Sequence, residues 1–235
     1  MANLSPAEWS ALALSLRVAA AATLLAFPAA VFVGHQLARR RFRGKALVET
    51  LVALPLVLPP VVTGYLLLVA CGTRGPIGRR LDAWFGLRLI FDWKGAAVAS
   101  AVMAFPLMVR AVRSAVAEVD PRLEQAARTL GASPWGVAFR VTLPLAVRGL
   151  AAGAVLGFAR SLGEFGATVM LAGNIPGETQ TVPLFIYTLV NEPGGAERSV
   201  RLVLLSIIIA CAALAGSERL ERRVERRDGR GSAAA

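Results

Sequence analysis

The chain has 235 residues, of which 56% are apolar and 17% are charged. Soluble globular domains carry about 25% charged residues, so this composition excludes an ordinary soluble fold and favours a membrane protein. The net charge of +11 would suit nucleic-acid binding, but the basic residues cluster beside apolar runs, and no basic face interleaved with aromatic residues is visible.

Five apolar segments predict membrane-spanning helices, which need about 20 mostly apolar residues. They cover residues 12–37, 46–70, 95–116, 146–172 and 200–215. The second segment contains Pro55, Pro59, Pro60 and Gly64, and these helix breakers predict a bent or interrupted span. The apolar run Thr181–Asn191 is too short to span and predicts an external half-helix. The sequence therefore predicts an all-α polytopic membrane protein with one transmembrane domain over residues 1–220.

Basic residues indicate how the spans are oriented. They are concentrated in residues 38–45, 117–145 and 217–235, and positively charged loops are typically cytoplasmic. This places the amino terminus outside and the carboxy terminus inside, with residues 221–235 as a cytoplasmic tail whose end is disordered. The loop 71–94, assigned to the outside, also holds five basic residues and fits this orientation poorly, but the cytoplasmic total is larger.

Residues 120–143, between the third and fourth spans, have the pattern of two short helices outside the membrane. Asp120-Pro121 predicts a helix start, Gly131 its end, and Ser133-Pro134 the start of the next helix. Small residues at the bend would let another protein surface approach closely. On these features alone, an ordinary solvated loop is an equally good interpretation.

The same segment resembles the EAA signature of binding-protein-dependent ABC importer permeases. Ala126-Ala127 is followed by Gly131 and, after nine further residues, by Val141-x-Leu143-Pro144. In that family the element is a coupling helix that docks on the ATP-binding subunit. The resemblance implies that the following residues face that partner: Glu124, Gln125, Ala126, Ala127, Gly131, Ala132, Ser133 and Pro134. The acidic position of the signature holds Gln125 here, with Glu124 one residue earlier.

Two further stretches, SLGEFGAT (161–168) and NIPGET (174–179), resemble molybdate-importer permeases, and the likeness extends over residues 11–225. It implies the type I (MetI-like) importer permease fold and a homodimer that works by alternating access in the lipid of the inner (plasma) membrane. The implied partners are two ABC ATPase subunits, which use ATP-Mg, and a periplasmic or extracellular molybdate-binding protein. This chain would bind no cofactor. A permease for sulfate or thiosulfate, tungstate or another oxyanion is the alternative.

Arg160 and Glu164 lie four residues apart in the fourth span, and therefore on one helix face. Because an isolated charge at the bilayer centre costs about 2.5–3.5 kcal/mol, both should face the protein interior, close to each other. They either line or gate the anion path, or they only hold helices together. The other candidate residues of the path are Ser161, Phe165, Thr168, Pro59, Pro60 and Gly64. The prolines and Gly64 could expose backbone N–H groups to an anion or simply kink the helix for packing.

Catalytic motifs are absent from the sequence. His35 is the only histidine, Cys71 and Cys211 are 140 positions apart, and no nucleophile–base pair, metal-ligand cluster or phosphate-binding G-x-x-x-x-G-K-[ST] loop occurs. The chain is therefore predicted not to be an enzyme, and ATP hydrolysis must come from another polypeptide. A partner-independent channel or secondary transporter would predict inverted repeats, which the sequence does not show.

Overall fold

The structure is a computed structural model that describes residues 5–232, with side chains through residue 212 and at residue 215; within that range it consists of helices and connecting loops. In chain order the helices are α1 (Pro6–Arg39), α2 (Lys45–Val57), α3 (Pro60–Cys71), α4 (Gly78–Phe85), α5 (Trp93–Glu118), α6 (Pro121–Thr129), α7 (Pro134–Val137), a π-helical turn (Ala138–Thr142), α8 (Leu143–Leu145), α9 (Val147–Leu162), α10 (Gly166–Ala172), α11 (Val182–Val190) and α12 (Gly195–Ser232).

Among the described residues, α1 and α5 are each long and apolar enough to cross a bilayer as one uninterrupted helix. Helix α1 begins six residues before the predicted span because a capping box starts it. The Ser5 hydroxyl accepts a hydrogen bond from the Glu8 N–H at 3.3 Å, and the Glu8 carboxylate accepts one from the Ser5 N–H at 2.7 Å. The helix continues through Pro28 to Arg39.

Small residues allow α1 and α9 to pack closely against α5, the more deeply buried of the two long helices. A Cβ atom at Gly34 of α1 would lie 2.7 Å from Val112 Cγ1, and one at Gly153 of α9 would lie 3.1 Å from Ala111 Cβ. Helices in a membrane associate through such close contacts, since lipid supplies no hydrophobic driving force between them. Helix α5 is therefore the centre of the bundle.

Two of the predicted spans are broken. Helices α2 and α3 meet at an angle of 110°, with the break at Leu58 and Pro59, so the predicted interruption of the second segment is present. The fourth segment was predicted as one helix, but it divides into α9 and α10 at Gly163–Phe165. Helix α9 is also bent by 75° from the preceding residues 134–145.

The number of spans stays a prediction. Counting each bent pair as one span gives up to four within the described residues, and the fifth predicted span falls in α12, whose side chains are described only in part. The predicted half-helix is α11, which the Ser15 hydroxyl anchors to α1 by accepting a hydrogen bond from the Val182 N–H at 2.8 Å. Residues 221–232 continue α12, while the extreme end of the tail, 233–235, lies outside the described residues.

Candidate functional site

Residues 120–145, which we call the elbow, fold as the sequence pattern predicts. The Asp120 carboxylate accepts a hydrogen bond from the Arg122 N–H at 2.8 Å and starts α6. Gly131, with a φ of +86°, turns the chain in the left-handed region that favours glycine. The Ser133 hydroxyl then accepts a hydrogen bond from the Gly136 N–H at 3.1 Å and starts α7. These local caps make the elbow a defined helix–turn–helix.

Most residues that the resemblance assigns to a partner lie on the outward surface of the elbow. Gln125, Ala126, Gly131, Ser133 and Pro134 are exposed, and Ala127 and Ala132 are half-buried. Between them, the Leu130 side chain is 89% exposed. The elbow therefore presents an exposed surface of small and apolar residues.

Glu124 lies inside the elbow and not on this exposed surface. Glu124 is 7% exposed. Its Oε1 accepts hydrogen bonds from Arg39 Nε and from the Thr142 hydroxyl, each at 2.8 Å. Arg39 also donates through Nη2 to the Val119 carbonyl at 2.7 Å. Glu124 thus ties the end of α1 to both arms of the elbow, an interaction over 85 residues of sequence that no local pattern reveals.

The predicted pair in the fourth segment forms an ion pair at the break between α9 and α10. Arg160 Nη1 lies 2.7 Å from Glu164 Oε2, and the Glu164 side chain is 1% exposed. The other carboxylate oxygen accepts a hydrogen bond from the Ala167 N–H at 2.9 Å. Glu164 therefore neutralises Arg160 and also satisfies a backbone donor at the start of α10, which the broken helix would otherwise leave unpaired.

Contacts with the long helices place this pair near the middle of the bundle. Toward the elbow, Gly34 of α1 and Gly153 of α9 both lie against Val112 of α5. At the opposite end, Val18 of α1 packs with Ala172 of α10. The two levels are about 24 Å apart along α1, at 1.5 Å per residue. Arg160 and Glu164 fall between them, so the helix break is close to mid-depth.

The break between α2 and α3 lies beside this one. A Cβ atom at Gly166 would be 2.7 Å from Pro60 Cβ, and one at Gly64 would be 2.8 Å from Ala167 Cα. Gly64 was predicted as a candidate helix breaker, but it lies inside α3, where the absence of a side chain lets α10 approach. Pro59 and Pro60 occupy the break itself, with Pro60 as the first residue of α3. Two interrupted helices therefore meet at one depth.

The remaining candidates surround the two breaks. The hydroxyls of Ser161 and Thr168 are buried without a hydrogen-bond partner in the described part of the chain. The Thr63 hydroxyl of α3 is buried in the same way. Thr63 was not among the residues predicted from the sequence, although it lies next to Gly64, which was. The Phe165 ring packs against Tyr187 of α11, with 5.2 Å between ring centroids. The structure thus brings the α3, α9 and α10 candidates into one region.

Close packing at Gly64 provides a first testable prediction. Replacing Gly64 with alanine should lower the free energy of unfolding by about 1–3 kcal/mol, because the added methyl group overpacks α3 against α10. The matched control is Gly163→Ala, since a Cβ atom at Gly163 meets nothing within 4 Å. Thermal unfolding of both variants in detergent measures the difference. Equal stability of the two variants would contradict the contact.

Comparison with known proteins decides the family. The family model described as "Binding-protein-dependent transport system inner membrane component" matches residues 26–226. The chain belongs to this family. This permease is accordingly a component of the inner membrane and not an enzyme, and the predicted family membership is confirmed.

The permease is 54% identical over 227 residues to the molybdenum transport system permease protein ModB of Haemophilus influenzae, covering 97% of this chain and 99% of that relative. It is 37% identical over 175 residues to the sulfate transport system permease protein CysW of Synechocystis, covering 73% of this chain and 63% of that relative. A bacterial ABC transporter for import of the acidic polysaccharide alginate shares the fold, with a TM-score of 0.73, 18% identity, and coverage of 94% of this chain and 81% of that one. The predicted fold class is confirmed.

Proposed function

We propose that this permease forms the translocation path of an ATP-driven molybdate importer. The observation that supports this cargo most is the likeness to a molybdenum permease, which extends over nearly the whole of both chains. The likeness to a sulfate permease is weaker and covers less of both proteins. Tetrahedral oxyanions of similar charge are nevertheless the natural competitors, and sulfate is the second candidate cargo.

The working assembly in this proposal contains two permease copies, two ABC ATPase subunits and an external molybdate-binding protein. The elbow faces the cytoplasm, the amino terminus is outside and the carboxy terminus is inside. The ion pair between Arg39 and Glu124 supports this orientation, because it places the elbow beside the basic block Arg40–Lys45, and such blocks are typically cytoplasmic. The ATPases would use ATP-Mg, and this chain would bind no cofactor.

The polar break at mid-depth supports a path between the helices. Interrupted helices near the bilayer midplane are the places where transporters expose backbone groups to their cargo. An unpaired arginine there would hold a dianion too tightly for release, whereas Arg160 is neutralised by Glu164. The pair therefore suits a gate or an orienting element better than a permanent binding site. ATP-driven movement of the elbow would then bias the protein between two conformations.

The cargo is tested by reconstituting the permease with its ATPase and binding protein in vesicles. Molybdate should stimulate ATP hydrolysis and accumulate inside the vesicles, and both effects should need the binding protein. Stronger stimulation by sulfate than by molybdate would assign the second candidate cargo. Uptake that is independent of the ATPase would instead indicate a channel or a secondary transporter.

A bulky side chain at Ala126 should weaken association with the ATPase. Ala126 is exposed on the elbow, so Ala126→Trp should leave the stability of the permease within about 0.5 kcal/mol while blocking close approach of a partner. Gly131 is a poorer probe, because its φ of +86° would strain any other residue. The control is Ala83→Trp at an exposed alanine of α4. Co-purification of the ATPase should fall about tenfold or more for Ala126→Trp only; equal recovery with both variants would contradict docking at the elbow.

A further inference from the structure

A cavity of about 450 Å³ lies between α1 and the elbow. Its walls are mostly apolar and include Phe27, Val31 and Leu143, while Arg40 and Arg128 stand among its polar residues. The side chains of these two arginines have no ion-pair partner among the described side chains, and both residues are exposed. The cavity therefore combines an apolar wall with unneutralised positive charge.

The dimensions of the cavity match an extended hydrocarbon chain. Its lining residues on α1 run from Phe27 to Arg39, which is about 18 Å of helix, and Arg40 follows at the end of the helix. A cavity of this length, beginning at the basic end of α1, reaches the middle of a hydrocarbon core that is about 30 Å thick. An inorganic oxyanion would use the polar end of the cavity alone, because the apolar walls offer no hydrogen bonds to replace its hydration.

The polar end of the cavity has the features of a membrane–water interface. Trp135 stacks between Phe32 and Phe139, with ring centroids 6.3 Å and 6.0 Å apart, and aromatic residues are enriched at the level of lipid headgroups. Beside them, the Gln36 side-chain oxygen is buried without a hydrogen-bond donor within the described residues. A hydroxyl-bearing headgroup would supply that donor, and its phosphate would face the two arginines.

We propose that this cavity binds one anionic glycerophospholipid of the inner leaflet, with an acyl chain along α1 and its headgroup between Arg40 and Arg128. The proposal does not depend on the cargo. The ATPase is a poorer occupant, since Pro134 is the one exposed residue assigned to docking that lines the cavity, whereas Gln125, Ala126, Gly131 and Ser133 do not. A lipid held here would contact α1 and the elbow together, and so would stabilise the arrangement that the Arg39–Glu124 pair creates.

The test is titration of the purified, assembled transporter with three probes, with bound molecules counted by native mass spectrometry. Dioleoylphosphatidylglycerol is expected to bind saturably at one site per permease copy, and more tightly than dioleoylphosphatidylcholine. Glycerol 3-phosphate, which has the anionic group without acyl chains, is expected not to bind measurably. Equal binding of the two lipids, tight binding of glycerol phosphate, or a second permease copy filling the cavity with no lipid retained would each overturn the proposal.

Paired variants separate this site from general attraction to an anionic surface. Arg40→Gln combined with Arg128→Gln should weaken phosphatidylglycerol binding about 30-fold at low salt, at the strength typical of two basic residues near anionic lipid. Arg79→Gln combined with Arg80→Gln removes the same charge from exposed positions of α4 and should leave binding unchanged. Equal losses in the two double variants would contradict a defined site.

Discussion

Replacing Arg160 with methionine is expected to destabilise the folded permease by about 3–5 kcal/mol and to abolish transport. The Glu164 side chain is 1% exposed and its ionic partner is Arg160. Removing the arginine leaves a buried carboxylate without compensation, and losses of this size are typical when one partner of a buried pair is deleted. Thermal or denaturant unfolding in detergent measures the loss of stability.

A double variant tests the reason for that loss. Arg160→Met combined with Glu164→Gln removes both charges and keeps an oxygen that can accept the hydrogen bond from the Ala167 N–H. It should recover most of the stability, because neutral replacement of a whole buried pair costs little. If the single variant were as stable as the unmodified protein, or the double variant no more stable than the single one, the buried pair would not act as described.

Transport by the double variant distinguishes the two roles that the sequence left open for this pair. A stable double variant that no longer imports molybdate would assign the pair to the path or its gate. A stable double variant that imports at a normal rate would assign it to helix packing alone. The unmodified permease, Arg160→Met and the double variant are compared in the same reconstituted assembly, with the amount of folded permease measured in each sample.

Replacing Glu124 with alanine is the second change from which we expect a large effect. It removes the acceptor for Arg39 and for Thr142, and should lower the free energy of unfolding by about 2–3 kcal/mol, the value of hydrogen bonds that involve a charged group. Because Glu124 joins α1 to both arms of the elbow, cargo-stimulated ATP hydrolysis should fall about tenfold. The ATPase should still co-purify, since the exposed surface of the elbow is unchanged.

Two further variants provide the controls for Glu124. Glu118→Ala removes an exposed carboxylate at the end of α5 and should have no effect on stability or ATP hydrolysis. Glu124→Gln keeps an acceptor oxygen and should lose less than the alanine variant in both measurements. Similar losses for Glu118→Ala and Glu124→Ala would show that the effect comes from removing negative charge in general and not from this contact.

Local features of the sequence were sufficient to predict the helical class, the long helix α5 and the elbow. The lengths of the apolar segments indicated the helical class and the helix α5. The elbow was predictable from the caps at Asp120 and Ser133 and the turn at Gly131, because each of these depends on residues only a few positions apart. The Arg160–Glu164 pair was predictable for the same reason. Arg160 and Glu164 lie four positions apart on one helix face, and a charge exposed to lipid is costly, so each was expected to pair with the other.

Contacts between distant parts of the chain could not be predicted. The inward position of Glu124 depends on Arg39, which is 85 residues away, whereas the resemblance to the EAA signature had placed Glu124 with the residues assigned to docking. The role of Gly64 depends on the approach of α10 to α3, and composition alone indicated a helix breaker. The division of the fourth segment depends on Glu164 bonding to the Ala167 N–H, which replaces the hydrogen bonds of a continuous helix.

Labelling of a cysteine at position 130 tests most directly whether the elbow is a cytoplasmic docking surface. The variant is Leu130→Cys in a chain whose two native cysteines, Cys71 and Cys211, are replaced by alanine. With a membrane-impermeant maleimide, we expect reaction in inside-out vesicles, no reaction in intact cells, and protection when the ATPase is bound. Reaction in intact cells, or reaction in vesicles that the ATPase does not reduce, would contradict the account.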